Sequence, residues 1–207
     1  MHPDEHPQIT AFQELFTRYR RLHGIAGGWA VDFLTGAVRR DHSDLDVLVL
    51  AADFAHLLEV MRPFGPVVTD EQTNESRPAE QGFDIEPGRM TVSFTKDLPP
   101  ECGDVQVLFA SSDDSDWIFH RGGKIRWPLA DLIRRSPGGI PYLTPEIVLL
   151  LKARDAREKD RSDFVDAVAH LDHEQLAWLR PRLAPPWKQP HPWEAVVDDA
   201  LGHPPVA

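Results

Sequence analysis

The chain has 207 residues, and its 22 Lys and Arg against 33 Asp and Glu give a formal net charge of −11, which disfavours non-specific nucleic-acid binding and favours cationic or metal-accompanied ligands. The single cysteine, Cys102, excludes an internal disulfide framework and a thiolate zinc cluster, and no apolar run has membrane-spanning length, so we expect a soluble cytoplasmic protein. This length can bury one good core, divided into a larger N-terminal domain and a smaller helical C-terminal one.

Helix and strand alternate in the first part of the chain. Apolar side chains from Ile9 to Leu22 recur at helical spacing, and Leu45 to Leu50 form an apolar run of strand length. Gly36 is a plausible left-handed terminator for the helix before it. A further helix is predicted from Asp53, as its cap, to Gly65. The order predicted before Asp53 is a helix over 7–22, a strand over 24–26, a helix over 28–35, a polar loop over 39–43 and a strand over 45–50.

Short strands are predicted in the middle of the chain, and we expect them to join one mixed sheet. The polar stretch from Asp70 to Gln81 is predicted to be a mobile loop. Residues 117–120 and 124–127, on either side of Arg-Gly-Gly at 121–123, predict a β-hairpin at the edge of the N-terminal domain. The strands predicted before this hairpin are 66–68, 82–86, 90–94 and 105–109.

The C-terminal part of the chain is predicted to be helical. Thr144, Pro145 and Glu146 place a cap, a first-turn proline and a first-turn acid in the order that begins a helix. We therefore divide the chain into a domain over 1–135, which holds the strands, and a helical domain over 136–207. Further helices are predicted near 162–170, 175–179 and 193–201.

Two aspartates one residue apart, Asp44 and Asp46, lie at the start of a strand that follows a diglycine, Gly27 and Gly28. Because side chains i and i+2 of a strand project to the same face, both carboxylates are expected to point to one spot. Carboxylate oxygens are ligands that Mg²⁺ prefers. A diglycine that turns a strand into a helix offers backbone N–H groups to a phosphate. Together these features predict an enzyme that transfers a nucleotide from a nucleoside triphosphate.

A third carboxylate is expected from a neighbouring strand, because two or three acids are needed to hold the metal ions of such a reaction. Asp104 is the best candidate, since the sequence from Gly103 to Phe109 repeats the pattern of an acid where a buried strand emerges. Asp84 and Glu86, which are also two residues apart, compete for this role.

These residues amount to a family resemblance. Gly-Gly-Trp-Ala-Val-Asp at 27–32 and Arg-Asp-His-Ser-Asp-Leu-Asp at 40–46 resemble the nucleotidyltransferase superfamily. Within it, the chain looks most like the antibiotic-modifying aminoglycoside 2″-adenylyltransferases and lincosamide nucleotidyltransferases. The resemblance implies an α/β (α+β) nucleotidyltransferase fold, a mixed twisted sheet flanked by helices, with a smaller C-terminal helical domain.

The resemblance also implies roles for individual residues. Gly27 and Gly28 would contact the nucleotide phosphates, and Asp44 and Asp46 would ligate Mg²⁺. Asp104 would complete the metal site and take the proton from the acceptor hydroxyl.

The resemblance implies phosphate-binding roles for three further side chains, with less specific support. Arg40 and His42, in the loop before the metal strand, would contact phosphate, and Lys152 would approach the triphosphate from the first C-terminal helix. By default, Arg40 would be a surface charge, His42 a loop residue, and Lys152 a side chain that extends into water.

The acceptor implied by the resemblance is a hydroxyl on a small molecule such as an aminoglycoside or lincosamide antibiotic, and a cationic acceptor would suit the acidic composition. Asp113, Asp114 and Asp116, just before the predicted hairpin, are a place where an acid cluster that binds the acceptor could form. The alternatives are an enzyme that modifies protein or RNA, of the toxin–antitoxin type, and a non-catalytic nucleotide-binding module. The acidic composition disfavours the RNA acceptor.

Overall fold

A mixed β-sheet organises the protein in this computed structural model, which describes residues 1–96, 98–119, 125–154, 156–183 and 191–202. The strands are β1 His23–Ile25, β2 Asp44–Leu50, β3 Pro66–Asp70, β4 Glu75–Pro78, β5 Met90–Phe94, β6 Asp104–Ser112, β7 Asp116–Ile118, β8 Arg126–Pro128, β9 Ile133–Arg135 and β10 Pro141–Leu143. The helices are α1 Pro7–Phe16, α2 Gly27–Thr35, α3 Phe54–Met61, α4 Pro145–Lys152, α5 Glu158–Val168, α6 His173–Leu179 and α7 Glu194–Ala200.

The sheet runs in the order β4-β3-β5-β6-β2-β1-β10-β9, and β7 and β8 extend from the end of β6. Strands β2 and β6 are parallel over the whole length of β2, and β10 is parallel to β1. The pairs β1–β2, β3–β5 and β5–β6 are antiparallel. The expectation of mixed pairing in one sheet is therefore confirmed.

The two faces of β2 lie in different surroundings. Leu45, Val47 and Val49 are buried in the apolar cluster that holds α1 and α3. Leu48 belongs to a second cluster, which the C-terminal helices α4 to α7 complete. Because side chains alternate along a strand, Asp44 and Asp46 share the face of Leu48 and project toward the helical side of the sheet.

Several predicted elements of the N-terminal part are present with shifted ends. The first helix stops at Phe16 instead of residue 22, although Tyr19 beyond it remains buried. The helix α2 ends at Gly36, whose φ of 74° confirms the predicted left-handed terminator. Asp53 precedes α3 without a capping hydrogen bond, and its carboxylate instead lies 3.7 Å from Arg21.

The segment between β3 and β5 departs from its prediction. Residues 82–86 form no strand, since Gly82 adopts a φ of 84° and the carbonyl of Glu86 closes a turn with Met90. Conversely, the predicted mobile loop 70–81 contains β4, which pairs with β3. Its turn is stabilised by the Asp70 carboxylate, which accepts a hydrogen bond from the Gln72 amide.

The C-terminal helices follow the predicted order, and the hairpin before them also forms. Helix α5 begins at Glu158, earlier than predicted, and the Asp160 carboxylate accepts a 3.2 Å hydrogen bond from the Arg157 backbone amide at its start. The two arms of the predicted hairpin pair as β7 and β8, with Trp117 opposite Trp127, while its turn at 121–123 lies outside the described residues.

The division at residue 135 stays a prediction, but β9 pairs with β10 across it and so joins the sheet to the segment before α4. Across the described ranges, none of the helices combines the length and the apolar character needed to cross a membrane.

Candidate active site

The parallel pair of β2 and β6 brings the predicted acids into register. Asp44 lies opposite Asp104, and Asp46 lies opposite Gln106. Neighbouring strands are roughly 4.8 Å apart, so these side chains emerge side by side on one face. The expectation that Asp44 and Asp46 point to one face agrees with the burial of Leu45 and Val47 on the other.

The carboxyl of Asp46 has an unusual environment. Its pKa is raised to about 6, first because burial disfavours the charged form and second because the charge of Asp44 is close. Three cations partly offset this rise, namely Lys152, Lys159 and Arg157. A half-buried carboxyl that is repelled by a neighbouring carboxylate and attracted by cations is the setting expected for a group that binds a metal ion beside phosphates.

The glycine corner lies directly against this carboxyl. Gly27 begins α2 with a φ of 62°, and a Cβ added there would collide with the Asp46 carboxylate and come within 3.0 Å of its Cγ. The Ala26 amide also donates a 2.8 Å hydrogen bond to the backbone carbonyl of Asp46. The N-terminal amides of α2 and the acid pair are therefore adjacent, as an anion and its metal require.

Arg40 and His42 pack against the second glycine of the corner. A Cβ at Gly28 would collide with the Arg40 guanidinium and lie 2.9 Å from Nδ1 of His42. The His42 side chain is only 2% exposed, its Nε2 lies 2.7 Å from a carboxylate oxygen of Asp32, and its ring lies 4.2 Å from that of Trp29. Contact of His42 with phosphate stays a prediction, and the structure adds that this ring supports the corner from within.

Lys152, at the end of α4, lies across from the sheet. Its ammonium donates to Asp160 at 3.0 Å and to Asp163 at 2.7 Å, and the side chain is 9% exposed. The default of a lysine extended into water is therefore wrong. Its charge nevertheless acts on Asp46, so it lies on the side where a triphosphate would bind.

Two cavities meet along the acid-bearing strands. The first, about 290 Å³, is lined by Asp46, Gln106, Glu71 and Arg157 above an apolar floor. The second, about 390 Å³, is lined by Asp44, Asp104 and Gln106. The acid pair therefore borders two cavities, one lined by Asp46 and Glu71 together with Arg154 and Arg157, and one lined by Asp44 and Asp104.

The third metal ligand stays a prediction. Asp104 is beside Asp44 in register, but within the described ranges no three His, Cys, Asp or Glu side chains converge closely enough to form a metal site. The rival acids, Asp84 and Glu86, are exposed, and Glu86 is paired with Arg89 at 2.9 Å. Among the candidates, Asp104 has the better position.

The predicted acid cluster near the hairpin is neutralised. Arg126 pairs with both Asp113 and Asp116, and the Asp113 carboxylate also accepts hydrogen bonds from the backbone amides of Ser115 and Asp116. Asp113 and Asp116 thus stabilise a turn and the hairpin, while Asp114 is exposed, and a role of these acids in binding the acceptor stays a prediction.

Four further residues join the site without having been assigned a role from the sequence. Arg157 and Lys159 lie where α5 begins, and their basic character is visible in the sequence, but nothing local shows that they face Asp46. Glu71 accepts hydrogen bonds from Thr91 at 2.7 Å and Gln106 at 3.2 Å, which holds it on the wall of the first cavity. No local signal marks Glu71 or Gln106.

Comparison with known proteins supports the same fold. Residues 8–93 match a family model described as aminoglycoside-2''-adenylyltransferase. A search of curated protein sequences finds none that matches this chain.

Solved structures extend the likeness over most of the chain. The solution structure of the antibiotic-resistance factor ANT(2'')-Ia has a TM-score of 0.57 at 15% identity and covers 87% of this chain and 91% of that chain. The crystal structure of ANT(2'')-Ia with adenylyl-2''-tobramycin has a TM-score of 0.57 at 16% identity and covers 85% and 96%.

The lincosamide antibiotic adenylyltransferase LnuA, with lincomycin bound, has a TM-score of 0.54 at 18% identity and covers 79% of this chain and 96% of that chain. The predicted nucleotidyltransferase fold and the predicted resemblance to antibiotic-modifying nucleotidyltransferases are confirmed.

Proposed function

We propose that this protein is a magnesium-dependent nucleotidyltransferase that moves a nucleoside monophosphate, most simply AMP from ATP, to a hydroxyl of a small antibiotic-like acceptor and releases pyrophosphate. One observation carries the proposal: Asp44 and Asp46 share a strand face against the Gly27 corner, with cations opposite them. The enzyme class agrees with the family match over residues 8–93 and with the fold of the solved neighbours.

The donor set fits a divalent cation with oxygen ligands. Asp44 and Asp46 would hold Mg²⁺. The raised pKa of Asp46 fits this role, because a bound cation would stabilise the ionised carboxylate. When bound, Mg²⁺ supplies neutralisation of the triphosphate charge and polarises the reacting oxygens. The remaining functions belong to side chains and amides of this chain.

The triphosphate is placed by backbone amides on one side and cations on the other. The N-terminal amides of α2, at Gly27 and Gly28, are free of side-chain bulk, which lets phosphate oxygens approach. The positive charges of Lys152, Arg157 and Lys159, which belong to the helical segment, act on the carboxyl of Asp46. Charge on both sides orients the polyphosphate and holds its α-phosphorus near the acid pair.

The transfer step balances with one general base. The acceptor O–H loses its proton to the carboxylate of Asp104, and its oxygen forms a bond to the α-phosphorus. The bond from that phosphorus to the oxygen bridging to the β-phosphate breaks, and pyrophosphate leaves with the electron pair. Asp104 suits this role because it lies in register with Asp44 and lines the second cavity.

The acceptor is assigned to the cavity with acidic walls. Asp44 and Asp104 line this space of about 390 Å³, which suits a polyhydroxylated amine better than an anion. Aminoglycosides and lincosamides are the acceptor classes to test first, because the solved neighbours are bound to an adenylylated tobramycin and to lincomycin.

Pyrophosphate release tests the function directly. Purified protein with Mg²⁺ and ATP, GTP, CTP or UTP is mixed with panels of aminoglycosides and lincosamides. We expect release with at least one pair, and mass spectrometry of the drug should show the added nucleotidyl group. If no pair of nucleotide and drug gave pyrophosphate release, although the protein still bound nucleotide, the result would instead support a non-catalytic nucleotide-binding module.

Variants tie the activity to the site. Asp44→Asn and Asp46→Asn should each lower turnover by about 10³-fold or more while the protein stays folded, because each removes a charged metal ligand. Asp199→Asn, at an exposed acid on α7, is the matched control and should keep wild-type turnover. Near wild-type turnover in either site variant would exclude the proposed mechanism.

A further inference from the structure

A buried carboxylate on α5 connects two parts of the proposed nucleotide site. The Asp163 side chain is 0% exposed and lies among three cations. It accepts hydrogen bonds from Arg39 at 2.8 Å, from Arg40 at 3.2 Å and from Lys152 at 2.7 Å. These cations come from two separate segments, the loop before β2 and the end of α4.

Two of the three cations are connected to the proposed polyphosphate site, Arg40 by contact and Lys152 by its charge. The Arg40 guanidinium packs against Gly28 at the start of α2. The Lys152 charge acts on the carboxyl of Asp46. Asp163, Arg40 and Lys152 line neither of the two cavities, so the cations would meet a polyphosphate at the Gly28 corner, and Asp163 would act on it through them.

Neighbouring acids brace the same cations. Asp32, on α2, accepts a 2.8 Å hydrogen bond from Arg39. Asp160, on α5, accepts a 3.0 Å hydrogen bond from the Lys152 ammonium. Within the described residues Lys152 donates to Asp160 and Asp163, so the third N–H of its ammonium is left for a phosphate oxygen. The network therefore orients Lys152 while leaving it able to bind an anion.

The charge of Asp163 is firmly held. Burial alone would raise its pKa, but the charge of Lys152 and hydrogen bonds from Arg40, Lys152 and Arg39 hold the pKa of this carboxyl well below its usual range. Ion pairs buried in this way contribute less to stability than to the choice of one geometry. The geometry chosen here is that of the proposed phosphate contacts.

We propose that Asp163 is a positioning residue for nucleotide binding, which holds Lys152 and Arg40 in the orientation that receives the polyphosphate. This inference rests on the proposed function, because it assigns the ligand of that site as a polyphosphate. In this proposal, α5 sets the geometry of the nucleotide site through Asp163, although Asp163 does not itself contact the nucleotide.

The experiment compares Asp163→Asn with Asp166→Asn in the full chain. Both variants lose one carboxylate of α5, but Asp166, which is 43% exposed, pairs only with Arg39 among the described residues. We expect Asp163→Asn to weaken binding of a non-hydrolysable ATP analogue and to raise KM for ATP about tenfold or more, since charge-assisted contacts lose their alignment. KM for the acceptor should change less than about twofold, and Asp166→Asn should match the wild type in both.

A second variant keeps the test decisive if Asp163→Asn fails to fold. Asp163→Glu retains the charge and lengthens the side chain, so it should fold and still raise KM for ATP by displacing Lys152. A folded variant, Asn or Glu, with wild-type affinity for the analogue would reduce Asp163 to a structural ion pair. Failure of the proposed function is distinguishable, because then the wild type binds the analogue but releases no pyrophosphate with any acceptor.

Discussion

At the scale of single residues, Asp46 links the stability of the protein to its chemistry. Its carboxyl is placed against Gly27 and beside Asp44, in a position where its ionised form is disfavoured without a cation. A group whose pKa is raised in the folded state costs stability at every pH at which it is ionised. The site is therefore under electrostatic strain that a bound cation would relieve.

This strain predicts a pH-dependent effect of Asp46→Asn. The pKa of Asp46 is about 6 when folded against 3.8 as the ordinary value, so the folded state takes up a proton first as the pH falls. Above pH 6 the wild type bears the full cost, and towards pH 4 the cost disappears. Asn resembles the protonated acid, so the variant should be more stable than the wild type at pH 8 by on the order of 2 kcal/mol.

Thermal unfolding of the metal-free proteins at pH 8 and pH 4 measures this difference. The gap in Tm should be present at the higher pH and close at the lower one, which serves as the internal control. Mg²⁺ should raise the Tm of the wild type at pH 8 and leave that of Asp46→Asn nearly unchanged. A variant that is less stable at both values would show that Asp46 is a satisfied structural carboxyl.

At the scale of elements, α2 begins and ends at glycines that have different structural roles. Gly27 begins the helix with a φ of 62° and lies against Asp46, whereas Gly36 ends it with a φ of 74° and has no heavy atom within 4 Å of an added Cβ. Both positions are costly for a residue with a side chain. Only the first is crowded by the proposed metal-binding group.

A pair of alanine substitutions separates backbone strain from crowding. Gly36→Ala should cost about 1–2 kcal/mol of stability and leave turnover unchanged, because it adds strain alone. Gly27→Ala should carry a similar strain and also displace the Asp46 carboxylate, lowering turnover by about 10²-fold, as expected for a misplacement near 1 Å. Chemical denaturation and pyrophosphate release measure the two quantities.

Equal turnover in the two alanine variants would separate the glycine corner from the chemistry. In that event Gly27 would be required for the turn between β1 and α2 and for nothing more.

At the scale of the whole molecule, the sheet and the C-terminal helices each provide half of the site. The apolar clusters on the two faces of the sheet hold β2 and α4 in place. The acids come from the sheet, while Lys152 and Arg157 come from the helical segment. The formal net charge of −11 makes the electrostatic potential around the protein predominantly negative.

The negative potential predicts a salt-dependent rate with cationic acceptors. kcat/KM for an aminoglycoside should fall several-fold when the ionic strength rises from about 0.01 M to about 0.1 M, because the Debye length shrinks from about 30 Å to about 10 Å. An acceptor whose amines are acetylated is the control and should show a much smaller change. Stopped-assay kinetics at fixed Mg²⁺ and saturating nucleotide provide the measurement.

Salt-sensitive binding of RNA would favour a different acceptor. If the protein bound RNA tightly at low salt and lost that binding as salt rose, the RNA-modifying alternative would gain support, since cationic contacts to phosphates weaken as salt rises.

Local patterns in the sequence determined the chemistry of the acid pair and most element types. The period of a strand is local, so Asp44 and Asp46 had to share a face wherever the strand lay. The order Thr144, Pro145, Glu146 likewise predicted the beginning of α4, because helix initiation depends on neighbouring residues. The Gly-Gly-Trp pattern with the acid pair identified the family resemblance.

Only the tertiary structure decided which distant groups meet. The register of β6 beside β2 puts Asp104 opposite Asp44, and the packing of α4 and α5 brings Lys152 into contact with Asp163. Strand β4 and the irregular segment 82–86 were also set by pairing with β3 and by turns, against their local patterns. Strand register and helix docking depend on burying both faces of the sheet at once, which residues near in sequence do not specify.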